Sequence, residues 1–325
     1  MDCLISRNDT KLVILESELN DYLLTKNIMP THITAKKHFS QNFLVDEQAR
    51  QKVLAGMKQI CDISDLPVIE IGPGQGDVTK FAIEWNKNYT ALEIDPEAIS
   101  WLTDNLDSTK FELIHCDVMD IIDQQFQRLQ NNNDQKSVNL TNKKAKSHND
   151  STKFEFPENF SLISSLPYHI GSRLLVDCGV LFPKINFGII HQKEVVMKIK
   201  KESNFTFFGA WLNLFWNCKH CFDLPKHCFN PQPKVVSAFL QGYSKNSQEL
   251  DWLNTSSKRL IAKNTLKVLF GFPNKTLANN LKSLDWNTQK ILKFLSNHCD
   301  NNANTRLSWD NYTYILEQVV KNQNL

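Results

Sequence analysis

Near the middle of the chain the run "FSLIS" leads into Ser165-Leu166-Pro167-Tyr168, and each of these residue types suits a grip on an exocyclic amine. Pro167 fixes its φ and sets a rigid turn, so the Leu166 carbonyl and the Ser165 hydroxyl are presented at a strand end while Tyr168 offers an aromatic face. A nucleobase amino group has its lone pair delocalised into the ring. Two acceptors holding its N–H groups localise that pair toward an electrophile, and an aromatic ring stacks a base that has been drawn out. The plainer alternative for the same four residues is a strand-to-helix turn with a packed tyrosine.

Three earlier segments end in groups that fit the same purpose. "IEIGPGQGDVT" closes an apolar run with Gly72, Gly74 and Gly76, which let the backbone turn tightly and approach a ligand closely. A dinucleotide fingerprint places its third glycine where this chain has Asp77, so the loop fits a nucleoside without pyrophosphate better than a dinucleotide. Glu93 closes the next run about 20 positions on, where a carboxylate accepts from ribose hydroxyls. Asp117, in "HCDVMD", closes the third and suits an adenine amino group. Each alone reads as a solvated polar group at a strand end; their ordered succession points to a nucleoside site.

The elements that must position these groups follow from the pattern around them. "VIEIG", "YTALEID", "FELIHCD", "FSLISSLP" and "FGIIHQ" are strand-like runs separated mostly by amphipathic stretches, which predicts an α/β fold with a parallel, doubly wound sheet. Ligands of such sheets bind at the C-terminal ends of the strands. Between the third and fourth runs, about residues 127–153, an Asn-, Lys- and Ser-rich stretch nearly empty of large apolar residues reads as a disordered surface insertion. Its Lys143, Lys144 and Lys146 read as a solvated face. After "VVSAFLQGY" the alternation stops, and "SSKRLIAKNTLKVLF", "KTLANNLKSL", "WNTQKILKFLSNH" and "SWDNYTYILEQVV" have helical spacing. The expected organisation is an extension over 1–32 with one short helix, an α/β domain over 33–244 and a helical domain over 245–325.

Composition sets the limits. A chain of 325 residues, 41% hydrophobic, can bury a full core, and Lys+Arg 37 against Asp+Glu 35 leaves a net charge of +2, so nucleic-acid binding has to come from a local patch. The eight cysteines are too dispersed for a disulfide scaffold, which points to reduced thiols in the cytoplasm. No run approaches a membrane-spanning length, and the first residues resemble neither a signal nor a transit peptide.

These motifs resemble the rRNA adenine N6,N6-dimethyltransferases that use S-adenosyl-L-methionine. "KKHFSQNFLVD" resembles that family's N-terminal motif, "EIGPGQGDVT" its glycine motif, "ALEID" its ribose motif and "SLPY" its Asn-Leu-Pro-Tyr motif. "HQKEVVMKI", "FNPQPKVVSA" and "NKTLANNL" follow in the family's order. The resemblance implies a Rossmann-like, seven-stranded class I methyltransferase domain with a small helical C-terminal domain. It implies methylation of two neighbouring adenosines in a hairpin loop near the 3′ end of small-subunit rRNA, on an immature 30S-type subunit, by a monomer. Carried over by motif, Asn42, Leu44, Gly72, Glu93, Asp117 and Ser165 contact the cofactor, Ser165 and Leu166 hold the amine, and Tyr168 and Phe229 sandwich the flipped adenine.

The chain departs from that pattern in places. Ser165 stands for the motif's asparagine, keeping an acceptor but losing the amide's reach and its donor; serine is familiar there in amino-methyltransferases acting on DNA bases, so retained activity is expected. Ser40 replaces a glycine, Ala210 an arginine, and the arginines usually ahead of Lys275 are missing, which predicts weaker, more salt-limited RNA binding. A rival reading is a non-catalytic ribosome-assembly or nucleic-acid-binding factor on the same fold; a third is methylation of large-subunit rRNA.

Three features have plainer readings. Cys218, Cys221, His227 and Cys228 have zinc-like spacing, but the resemblance implies no metal and none is expected. Trp211 and Trp216, with their neighbouring phenylalanines, are expected in the core. His169 is not needed as a base, because the amine attacks as a neutral nucleophile.

Overall fold

The computed structural model describes residues 35–36, 39, 41–63, 65–85, 88–134, 154–199, 206–245, 247–271, 275–282, 293 and 312–322. The expected helix of the N-terminal extension, most of the Asn/Lys-rich insertion, Ser40, the side chain of His169, the positions just ahead of Lys275 and nearly all of "WNTQKILKFLSNH" lie outside them.

A short strand β1 (Phe43–Leu44) leads into α1 (Glu47–Cys61), whose start is capped by Asp46 accepting from the Ala49 N–H. Then come β2 (Val68–Ile71), the short α2 (Thr79–Ala82), β3 (Tyr89–Glu93), α3 (Pro96–Asn105), β4 (Glu112–His115) and α4 (Val118–Asp134). The chain continues through β5 (Ser161–Ser164), α5 (Tyr168–Leu181), β6 (Asn186–Gln192), the short α6 (Lys193–Met197), α7 (Phe207–Phe215), β7 (Trp216–Leu224), β8 (Phe229–Asn230) and β9 (Ser237–Ser244). Helices α8 (Ser256–Phe270), α9 (Leu277–Lys282) and α10 (Tyr312–Asn322) close it.

Seven strands form one sheet in the order β4-β3-β2-β5-β6-β9-β7. The five from β4 to β6 are parallel, and β9 runs antiparallel between β6 and β7. Because side chains alternate along a strand, this sheet divides its apolar residues between two cores. On β2, Val68 enters one core while Ile69 and Ile71 enter the other. Helix α1 covers the first core; α5, α7 and the helices after Ser256 share the second. Trp211 and Trp216 are wholly buried there, each donating its indole N–H to a carbonyl, of Val176 and Ile185.

Helix α4 continues to Asp134, past the residue near which the insertion is expected to begin. Glutamine and asparagine do not forbid helix, and the apolar face begun by Ile122 and Phe126 carries the turns forward. The C-terminal helices pack into the sheet's own core: Arg259 of α8 is buried and donates to the carbonyls of Val180 and Leu253, and Lys263 pairs with Asp177 of α5 at 2.7 Å. Ala210, in an arginine's place, is fully buried on α7, and its carbonyl accepts from the Tyr312 hydroxyl. Among the described residues, no helix is long and apolar enough to cross a membrane.

Candidate active site

At the C-terminal edge of the parallel strands lies a cavity of about 540 Å³, a volume that suits a nucleoside-sized ligand. Most of the residues singled out from the sequence border it: Gly72 and Gly74 after β2, Glu93 closing β3, Asp117 after β4, and Ser165, Leu166 and Tyr168 after β5; Gly76 instead turns toward Trp101 and Leu102. Asn42 and Leu44 reach it from the N-terminal segment, and Phe229 from β8. The parallel register explains the convergence, because four neighbouring strands stop at one level of the sheet.

The glycine loop is shaped by necessity. Gly72 has φ +70°, and a Cβ there would stand 2.8 Å from Leu166 Cδ2, so the glycine lets the loops after β2 and β5 close on each other. Glu93 anchors the same loop: one carboxylate oxygen accepts from the Gly74 N–H at 2.9 Å, the other from Ile94 and Asp95. Burial nonetheless raises its pKa, outweighing those donors. Asp117 gives Oδ1 to the Met119 N–H at 2.8 Å, and its Oδ2 takes no hydrogen bond from the described residues.

In the turn after β5 the two serines divide the work. Ser164, buried, donates to the Ile71 carbonyl at 2.9 Å and accepts from the Leu166 N–H, which pins the turn to β2. Ser165 is exposed to the cavity, and neither its hydroxyl nor the Leu166 carbonyl is taken by the described residues. Two acceptors therefore face the same space. Tyr168 is half-buried, with its hydroxyl 2.6 Å from Ser237 Oγ on β9, and burial raises its pKa. Its ring lies 5.9 Å from the His191 ring and makes no contact with Phe229. Burial pushes the His191 imidazole down to about 4; its Nδ1 accepts from the Gln192 N–H, so Nε2 carries the proton and donates to Ser172.

The N-terminal segment is held from two sides. Leu44 pairs with Phe229 and Phe43 with Asn230 in a two-strand ribbon, which joins the expected cofactor segment to the expected base-stacking residue. At the other side, Asp95 accepts from Lys36 Nζ at 2.6 Å, from Gln41 Nε2 at 2.8 Å and from the first turn of α3. Burial alone would raise the Asp95 pKa, but Lys36 and Gln41 hold it below the usual carboxylate range. Sequence reasoning did not single out Asp95, Ser164, Ser237 or His191. Asp95 lies within the motif "ALEID" and Ser237 within "FNPQPKVVSA", so position in a motif is the available signal.

The zinc-like spacing does not produce one site. Cys218 packs against one core and Cys221 against the other, on opposite faces of the sheet. His227 and Cys228 instead approach Asp46, with ligand atoms within 4.8 Å of one another.

A parallel sheet with one antiparallel strand next to its edge, carrying a glycine loop, a Glu and an Asp on three successive strand ends, defines a methyltransferase of the α/β class. The family model described as ribosomal RNA adenine dimethylase matches residues 32–306, and the chain belongs to that family. Among relatives, a protein of Mycoplasmopsis pulmonis named ribosomal RNA small subunit methyltransferase A is 27% identical over 80% of this chain and 88% of its own. One of the same name from Francisella tularensis subsp. novicida is 32% identical over 77% and 84%. Of solved structures, the 23S rRNA methyltransferase ErmE aligns with a TM-score of 0.56 at 16% identity, covering 86% of this chain and all of that one. A dimethyladenosine transferase from Plasmodium falciparum aligns at 0.53 and 20% identity, over 84% and 86%. Both show the shared fold.

Proposed function

We infer that this chain dimethylates N6 of two adjacent adenosines in a hairpin loop near the 3′ end of small-subunit rRNA, drawing on S-adenosylmethionine and acting as a monomer on immature subunits in the cytoplasm. The name of these relatives, ribosomal RNA small subunit methyltransferase A, supports the small subunit over the large one. The observation that carries the chemistry is the convergence of the glycine loop, Glu93, Asp117 and the Ser165–Tyr168 turn on one cavity.

The residues present fit such a cofactor. Asp117 offers an unengaged carboxylate oxygen for an adenine amino group, and Glu93 lies beside it for the ribose. Gly72 keeps the loop bare of side chain where the backbone must come close. Asn42 and Leu44 supply part of the facing wall. When bound, the cofactor supplies an electrophilic methyl group on a sulfonium.

The chain's own part is to bind, orient and exclude water. Tyr168 and Phe229, whose rings leave each other free, take the flipped adenine between them, and Ser165 Oγ and the Leu166 carbonyl accept from its N6 hydrogens. Those bonds turn the nitrogen lone pair toward the methyl carbon. The proton leaves to water. His191 takes no part in it, being neutral and engaged through both ring nitrogens. The organisation proposed is an extension over 1–32, a methyltransferase domain over 33–244 and an RNA-facing helical unit over 245–325.

The test is to incubate the full chain with methyl-labelled S-adenosylmethionine and immature small subunits and to map the modified bases. Label on two adjacent adenosines is expected. Cofactor binding without methyl incorporation would favour the non-catalytic assembly factor instead.

A further inference from the structure

Arg50 is a charged residue on α1, and no sequence motif accounts for it. It is buried, 7% exposed, and borders the cavity beside Leu44 and Asp77. Its guanidinium is incompletely satisfied. Nη1 pairs with Glu47 at 3.0 Å, Nη2 reaches the Leu44 carbonyl at a long 3.4 Å, and Nε has no hydrogen-bond partner. Asp77 Oδ1 stands 4.0 Å from that Nε, close enough for charge attraction but too far for a hydrogen bond. A buried donor left in this state is costly unless a ligand completes it.

Its place in the cavity indicates which part of a ligand that would be. The sheet order puts Asp117 after β4, Glu93 at the end of β3 and the glycine loop after β2, so base, ribose and the remaining end of the ligand follow one another across the strand ends. Asp77 belongs to the glycine loop and Leu44 to the segment facing it, which sets Arg50 at the end away from Asp117. Of the charged groups there, Arg50 and Asp77 line the cavity 4.0 Å apart, with Lys80 behind them 3.5 Å from the same Asp77 oxygen, and an α-amino acid carries one carboxylate and one ammonium on a single carbon. Guanidinium is the side chain best suited to a carboxylate, because its planar donors match both oxygens.

We propose that Arg50 binds the α-carboxylate at the amino-acid end of the methyl donor, with Asp77 facing the ammonium. The assignment rests on the cofactor reading above and deepens it. Arg50 is a binding residue here, remote from the transferred methyl.

The experiment compares two ligands by calorimetry on the full-length wild-type chain, Arg50→Met and Arg50→Lys. S-adenosylhomocysteine carries the amino-acid end; 5′-methylthioadenosine keeps the adenine, ribose and thioether without it. Arg50→Met is expected to weaken S-adenosylhomocysteine about 10- to 100-fold, the range of a charge-assisted hydrogen bond, and 5′-methylthioadenosine less than about 2-fold. Arg50→Lys, which keeps the charge but not the fork, is expected to show the same selectivity with a smaller loss, and it carries the test if the methionine variant does not fold. Equal losses for both ligands would overturn the proposal, because Arg50 would then act only by holding the Leu44 segment. No loss for either would overturn it as well. Failure of the wild-type chain to bind S-adenosylhomocysteine would instead overturn the cofactor reading itself.

Discussion

Lys36 Nζ lies 2.6 Å from Asp95 Oδ1, which fastens the segment ahead of β1 to the N-terminal cap of α3. Gln41 holds the other oxygen of the same carboxylate, and Asn42 and Leu44 follow directly into the cavity wall. Removing one strut should therefore be felt as ligand affinity. Lys36→Met is expected to raise the KM for S-adenosylmethionine on the order of 3- to 10-fold with little change in kcat, and Gln41→Ala to act in the same direction. Steady-state kinetics with saturating RNA would check this; an unchanged KM in both variants would remove the segment from cofactor binding.

Ser165 meets the cavity with an unengaged hydroxyl, whereas its neighbour Ser164 is committed to the Ile71 carbonyl. Ser165→Ala should lower kcat on the order of a hundredfold, since it deletes one of two acceptors aimed at the amine. Ser165→Asn should raise kcat, because the position is exposed and a longer amide extends the acceptor into open space. Single-turnover rates separate the two, and a fall with asparagine would mean that the pocket has adapted to the hydroxyl.

The Tyr168 hydroxyl and Ser237 Oγ, 2.6 Å apart, tie the base-facing ring to β9. Ser237 is fully buried, and its substitution by alanine leaves the tyrosine free to swing. Ser237→Ala and Tyr168→Phe should each lower kcat by a comparable factor, about 3- to 10-fold, and the double variant by no more than either alone, because both delete the same bond. Additive losses would show that the bond is not what positions the ring.

Glu70, at the end of β2, accepts from the Thr79 and Tyr89 hydroxyls, yet burial pushes its carboxyl up from 4.5 to about 7. A folded value above the unfolded one adds stability that is fully present below about 4.5 and is lost as the pH rises through about 7. Glu70→Gln keeps an acceptor for both hydroxyls and does not ionise. The stability of the wild type relative to Glu70→Gln should thus fall between pH 4.5 and 8, by up to about 3 kcal/mol, in urea denaturation at a series of pH values.

The residues read most directly from the sequence are those whose placement follows from local pattern. Gly72, Glu93, Asp117 and Ser165 each close an apolar run, and parallel strands bring such ends to one edge whatever the details of packing. Asp95, Ser237 and Arg50 escaped notice because nothing next to them in the chain reveals their roles. Asp95 is defined by Lys36, 59 positions away, and Ser237 by Tyr168, 69 away. Arg50 reads as one more polar residue on an amphipathic helix until its neighbours are in place. Where α4 ends was equally opaque, since polar residues allow both helix and coil.

The sequence by itself determined the alternation of strands and helices, the glycines that the loop after β2 requires and the chemical types offered at each strand end, because these depend on periodicity and on intrinsic backbone freedom. Only the tertiary structure decided that β9 lies between β6 and β7, that Leu44 pairs with Phe229, that Cys218 and Cys221 face opposite cores and that Arg50 is left incompletely bonded at the cavity. Each of these depends on which distant segments share a neighbourhood, and burial gives such contacts their energy only once the whole sheet has formed.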